Sequence, residues 1–205
     1  MTQGAGRYEK IREARGPHRV QRRERGRHAL SGSFTQRDLR DAFGLFATGV
    51  TVVTGVRPDS IAVGVTVNSF ASVSLEPPLL LWCLARDSSA RSAFAAGAPF
   101  AVHVLSHHQL DLARHFARRS EEKFAPVALD GSRPPKLPEA LCRFDGRVQM
   151  LHPGGDHLII LGEVLDIERG PGTPLAFHAS RFGSFSADPG IPQMDVWAGL
   201  DEHGY

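Results

Sequence analysis

The sequence predicts a mainly β fold, a β-barrel with peripheral helices, on three observations. At least six apolar runs rich in β-branched residues are separated by turn formers, and most sequence neighbours read as antiparallel hairpins. Strands and helices do not alternate as a doubly wound parallel sheet requires. The strands are also apolar enough that open edges would associate, and closing the sheet on itself removes those edges.

Taken in order, residues 1–33 alternate charge with Gly and hold almost no large apolar groups, so ordering them costs more entropy than burial returns. They are expected to form a disordered basic arm. A domain spans 34–185, and residues 186–205 form a tail without periodicity. The domain opens with a helix: Thr35 caps it with Asp38 at the third position, and Phe34 and Leu39 are placed as a hydrophobic staple. Leu39, Ala42, Phe43 and Phe46 recur at helical spacing as one apolar stripe, which Gly49 ends. Val50–Val56 and Ile61–Val67 are β-branched strands joined by the turn Arg57-Pro58-Asp59-Ser60. Leu79–Ala85 is a third strand, apolar throughout, whose start is fixed by Pro77-Pro78 because proline cannot donate to the ladder. Ser88 or Ser89 then caps a short helix reaching Ala96, closed by Gly97.

Phe100–Leu105 is a fourth strand, and Ser106 with Gln109 makes a capping box for a helix reaching about Arg119. Its residues Leu110, Leu112, Ala113, Phe116 and Ala117 form one broad apolar face. Residues 129–138 are a Pro-rich surface loop. Arg143–Leu151 and His157–Ile167 form a long hairpin around His152-Pro153-Gly154-Gly155-Asp156, and Leu175–Phe185 is a last short strand.

At 205 residues the length fits one domain with its own core. The net charge of +2 hides an asymmetry: residues 1–28 hold nine Lys or Arg against three Glu, and the rest is mildly acidic. The basic pI of 8.8 is therefore no nucleic-acid signature. Cys83 and Cys142 lack C-x-x-C spacing, so no disulfide framework is expected. No stretch approaches the roughly twenty apolar residues that span a bilayer, and Arg22-Arg23 precedes no apolar segment, so a cytoplasmic protein is expected. G-x-G-x-x-G, P-loop, G-x-S-x-G and H-E-x-x-H patterns are absent, and the histidines lack metal-ligand spacing.

The densest concentration of small polar side chains lies in Gly64–Ala90, GVTVNSFASVSLEPPLLLWCLARDSSA. Such a run lets backbone amides and short side chains approach a planar, hydrogen-bonding ligand. On composition alone it also reads as a Ser-rich turn between strands. With FATGVTVVTG at Phe46–Gly55 and GGDHLIILGEV at Gly154–Val164, the stretch resembles the flavin reductase family of two-component monooxygenase systems. The match covers roughly Phe34–Phe185, and Val67 stands where that family has Ala.

The resemblance implies a Greek-key, FMN-binding split β-barrel that dimerises and binds flavin near the subunit interface. It implies flavin contacts from Thr66, Val67, Asn68 and Ser69 at the isoalloxazine edge, and from Ser72, Ser74, Ser88 and Ser89 at the ribityl chain and phosphate. Lys123 and Phe124 are assigned to the flavin edge or phosphate. Thr48, Gly49, Val50, His157, Arg181 and Phe182 are assigned to the nicotinamide nucleotide, with Phe182 in place of the family's Tyr. Hydride transfer between two cofactors asks the protein for positioning, so no catalytic acid or base is expected and His157 is a positioning candidate. The favoured reading is an NAD(P)H-dependent reductase of FMN or FAD that serves a partner monooxygenase, as a homodimer. A split-barrel oxidase with tightly held FMN and a non-catalytic flavin-binding or redox-sensing module are the alternatives.

Overall fold

The computed structural model describes residues 34–120, 123–125, 127 and 133–188, so the expected arm at 1–33 and most of the tail lie outside the described residues. Helix α1 (Gln36–Phe43) leads to β1 (Thr48–Gly49), β2 (Thr51–Val56), β3 (Ala62–Val67), β4 (Ala71–Leu75) and β5 (Pro78–Ala85). A single 3₁₀ turn (Arg91–Phe94) precedes β6 (Pro99–Val104), and a second one (His107–Gln109) opens α2 (Leu110–Ala117). The long strands β7 (Cys142–Gly154) and β8 (His157–Arg169) follow, then β9 (Leu175–His178) and β10 (Arg181–Ser184).

Seven strands form one antiparallel sheet in the order β3-β2-β6-β7-β8-β5-β4, and β1-β9-β10 form a second. The fold is mainly β with peripheral helices, and the large sheet curls until β3 comes beside β5. Val53, Val67, Trp82, Leu84, Phe94, Phe100, Val102, Val148 and Ile160 fill its interior, drawn from six strands and the first 3₁₀ turn. Trp82 meets Phe100 at 4.8 Å and Phe94 edge-on at 5.7 Å between ring centroids. Each such ring contributes about 1.5–3 kcal/mol by leaving water. Phe100 fits because Gly146 and Gly162 face it without side chains: a Cβ on either would occupy the ring's space.

A second core lies on the other face of β2, where Val50, Val52, Leu105 and Leu175 pack on Ala113 and Phe116 of α2. The expected capping box is present, with the Ser106 amide donating to Gln109 Oε1 at 3.0 Å. Buried His103 on β6 ties three segments together. Its Nδ1 lies 3.1 Å from the Val52 carbonyl and its Nε2 accepts the Leu137 amide at 3.1 Å, which fixes the Nδ1–H tautomer. Burial pushes its pKa down to about 4, against the opposing pull of the Val52 bond, so the ring is neutral.

Several expectations need correction. The first helix stops at Phe43, where the Gly44 amide bonds the Arg40 carbonyl at 2.8 Å; Phe46 lies beyond it and Gly49 sits in a strand. Leu39, Phe43 and Phe46 are exposed, so the periodic stripe is not a core face of the chain. Ser72 and Ser74 belong to a strand, β4, which the hydroxyl-rich composition hid. Gly97 does follow the Ser88 segment with φ of +81°, but that segment is a four-residue 3₁₀ turn after Ala90 and has no side-chain cap. Helix α2 ends at Ala117, short of Arg119. Within the supposed surface loop, Leu137 is buried and the Pro135 carbonyl accepts the Thr54 hydroxyl at 2.7 Å. The last strand is a hairpin, turned by Ala179 and Ser180 at φ of +47° and +63°.

Candidate functional site

Three residues, Asn68, Ser69 and Phe70, carry the chain from β3 to β4, and two of them are pinned. Ser69 Oγ accepts the Cys83 amide of β5 at 2.9 Å, and Phe70 stacks on Phe144 at 5.7 Å with the core behind it. Asn68 is left exposed. Around this linker lies a cleft of about 730 Å³ whose walls include Arg40, Phe43, Phe46, Thr48, Phe177 and Ser180. Thr48 comes from the small sheet, where it pairs with Phe177, and Phe182 leans on Phe177 at 5.1 Å. The Thr48 hydroxyl is buried and has no hydrogen-bond partner among the described residues. An orphaned hydroxyl costs about 1–3 kcal/mol.

The remaining expected residues lie elsewhere in the fold. Thr66 Oγ1 donates to the Ala113 carbonyl at 2.7 Å, and Val67 is a core residue whose carbonyl accepts Thr51 Oγ1 at 3.1 Å. Val50 is likewise interior. Ser72 and Ser74 lie on β4, with Ser72 exposed and Ser74 half-buried. Ser88 Oγ accepts the Ala90 amide at 3.3 Å. Ser89 lines a smaller pocket of about 180 Å³ with Arg57, Gly64 and Lys123. Lys123 Nζ donates to the carbonyls of Gly64 at 2.8 Å and Phe116 at 2.9 Å, and its half-buried position lowers its pKa. Phe124 meets Phe116 edge-on at 5.1 Å as part of the second core.

His157 starts β8 opposite Ala85 and is not among the residues that line the large cleft. Its Nδ1 lies 2.8 Å from Asp156 Oδ1, and this bond and the ring's charge hold the Asp156 carboxyl below its usual pKa. Gly49, Arg181 and Phe182 lie on β1 and β10 beside the cleft-lining Thr48 and Ser180. The structure thus gathers Thr48, Asn68 and Ser69 in one cleft and pairs Ser89 with Lys123 in another, while His157 lines neither. Sequence reading missed Arg40, Phe43, Phe177 and Ser180 as cleft residues. An aromatic left exposed on a periodic stripe carries no mark in sequence that separates it from a core residue.

The residues present fit a flavin: an exposed amide and a hydroxyl for the polar edge of a flat ring, and aromatic walls for its faces. Among the described residues no group of three or more His, Cys, Asp or Glu could hold a metal ion.

Fold and cleft define a split-barrel-like β protein suited to a planar aromatic ligand. Residues 43–186 match the flavin reductase like domain. The chain belongs to that family. It is 45% identical over 159 residues to the FMN reductase (NADH) SmoA of Agrobacterium fabrum, covering 77% of this chain and 90% of that one. It is 43% identical over 130 residues to the reductase component of the flavin-dependent trigonelline monooxygenase of Acinetobacter baylyi, covering 62% of this chain and only 42% of that relative. The Streptomyces globisporus NADH:FAD oxidoreductase SgcE6, solved with NAD and FAD fragments, superimposes with a TM-score of 0.68 at 40% identity. That match covers 75% of this chain and 94% of the solved one.

Proposed function

We propose that this chain is an NAD(P)H-dependent flavin reductase that passes hydride to FMN or FAD and supplies the reduced flavin to a separate monooxygenase. The observation that carries the reading is the cleft beside the β3–β4 linker, where Asn68 and Ser69 meet the unpartnered Thr48 hydroxyl among aromatic rings. The relatives' names support it: one is an FMN reductase using NADH, another a monooxygenase's reductase component.

When bound, the flavin supplies the hydride-accepting ring. The chain's own residues hold and orient. Asn68 offers both a donor and an acceptor to the ring's polar edge, and the bond from Ser69 to Cys83 keeps that linker in place. Phe177, with Phe182 behind it, gives a flat apolar wall that restricts the second ring and keeps water out. Ser89 and Lys123 form a cationic recess suited to the flavin phosphate. Val73 and Leu75 of the border strand β4 leave apolar side chains exposed, which supports a homodimer.

Purified protein tests the reading directly. NADH oxidation should require added FMN or FAD, by protein that is nearly colourless on its own. Yellow protein that holds flavin and oxidises no NADH would overturn it. Asn68→Ala should raise the flavin KM about tenfold, the value of one lost hydrogen bond, with unfolding stability changed by less than about 0.5 kcal/mol.

A further inference from the structure

Arg40 occupies the last turn of α1 and lines the same cleft as Thr48, Asn68, Phe177 and Ser180. No acidic residue lines that cleft, and Arg40 has no carboxylate partner among the described residues. An exposed arginine near a helix C-terminus is ordinary, because it interacts with the helix dipole. Two further facts set this one apart. The end of its helix is tied to the β9–β10 turn: the Gly44 amide bonds the Arg40 carbonyl at 2.8 Å, and the Ala179 amide bonds the Gly44 carbonyl at 2.7 Å. The cleft it lines is also lined by Thr48, whose buried hydroxyl has no hydrogen-bond partner among the described residues.

A guanidinium is a planar fork of donors that matches a phosphate in two parallel hydrogen bonds. Two nucleotides with phosphates enter the proposed reaction, and position separates them. The Lys123–Ser89 recess lies at Gly64, four residues before Asn68 and so about 13 Å away along an extended strand. A flavin whose ring meets Asn68 and whose phosphate meets Lys123 leaves Arg40 facing the other nucleotide.

We propose that Arg40 binds a phosphate of the nicotinamide nucleotide and thereby selects the hydride donor. This rests on the flavin reductase reading above. The test compares wild type, Arg40→Ala and Arg40→Lys with two hydride donors, NADH and the phosphate-free 1-benzyl-1,4-dihydronicotinamide. Arg40→Ala should raise the NADH KM about tenfold to a hundredfold, the loss of a charge-assisted pair, with kcat within twofold. The KM for flavin and the rate with the phosphate-free donor should stay as in wild type, and Arg40→Lys should restore part of the NADH affinity. Equal losses with both donors, an unchanged NADH KM, or a rise confined to the flavin KM would each overturn the assignment.

A binding arm separates this failure from that of the underlying reading. Calorimetry with nicotinamide mononucleotide and nicotinamide riboside, which differ by one phosphate, should show a preference for the mononucleotide that Arg40→Ala loses. If wild type reduces no flavin with either donor, the reductase reading falls while this preference still decides Arg40. A wild type without the preference overturns the proposal.

Discussion

The interior of the seven-stranded sheet and the cleft beside it use the same residue types to opposite ends. Inside, Phe100 is wholly buried against Trp82 and in the space left by Gly146 and Gly162. In the cleft, Phe43 and Phe46 are 69% and 77% exposed, and Gly49 and Gly183 nearby have open space where a side chain would go. An aromatic ring stabilises the fold where neighbours close around it, and it offers a stacking surface where they do not. Unsatisfied polarity does not follow this division: the Thr48 hydroxyl beside the cleft and Trp82 Nε1 in the interior both lack a hydrogen-bond partner among the described residues.

Substitutions can sharpen or break this contrast. The largest effect belongs to the interior: Phe100→Ala should lower unfolding stability by about 3–5 kcal/mol in urea titrations, through lost contacts and a residual cavity. Acid comes next, through His103. Its pKa falls from an unfolded value of 6.5 to about 4 in the fold. The neutral ring's contribution is therefore complete above pH 6.5 and is lost as pH drops toward 4, for a total of about 3 kcal/mol. Arg143 and Lys136 reinforce that depression and Asp145 opposes it. Urea midpoints at pH 7 and pH 4.5 should diverge strongly in wild type and much less in His103→Gln. The smallest pair is the most direct comparison. Gly162→Ala should cost about 1–3 kcal/mol by overpacking against Phe100, whereas Gly183→Ala should change stability by less than about 0.5 kcal/mol. Equal costs at the two glycines would remove the distinction.

Much of the large sheet was legible from residues alone. The β2–β3 hairpin, with its Arg57–Ser60 turn, and the β7–β8 pair announce themselves by β-branched runs and turn formers. Elements whose composition argues against their state were not legible. Strand β4 carries two serines, and its pairing depends on β5 lying beside it, which is a tertiary fact. Helix α1 ends early because the Gly44 carbonyl is taken by Ala179, a residue more than a hundred positions later. Asn68, Ser69 and Thr48 were singled out through the family resemblance and do line one cleft, whereas spacing could not reveal that Val50 and Val67 face inward. Nothing in the sequence marks Arg40, because the β9–β10 turn whose Ser180 shares its cleft has the composition of one continuous strand.

The two borders of the large sheet are finished differently. Along β3, the Gly64 carbonyl is taken by Lys123 and the Thr66 hydroxyl by the backbone of α2. Along β4, the register slips between Ser72 and Ser74, and Pro77-Pro78 follows at once. A foreign strand approaching either rim therefore meets an ammonium group or a broken rhythm of amides, which protects a crowded solution of this protein from fibril growth.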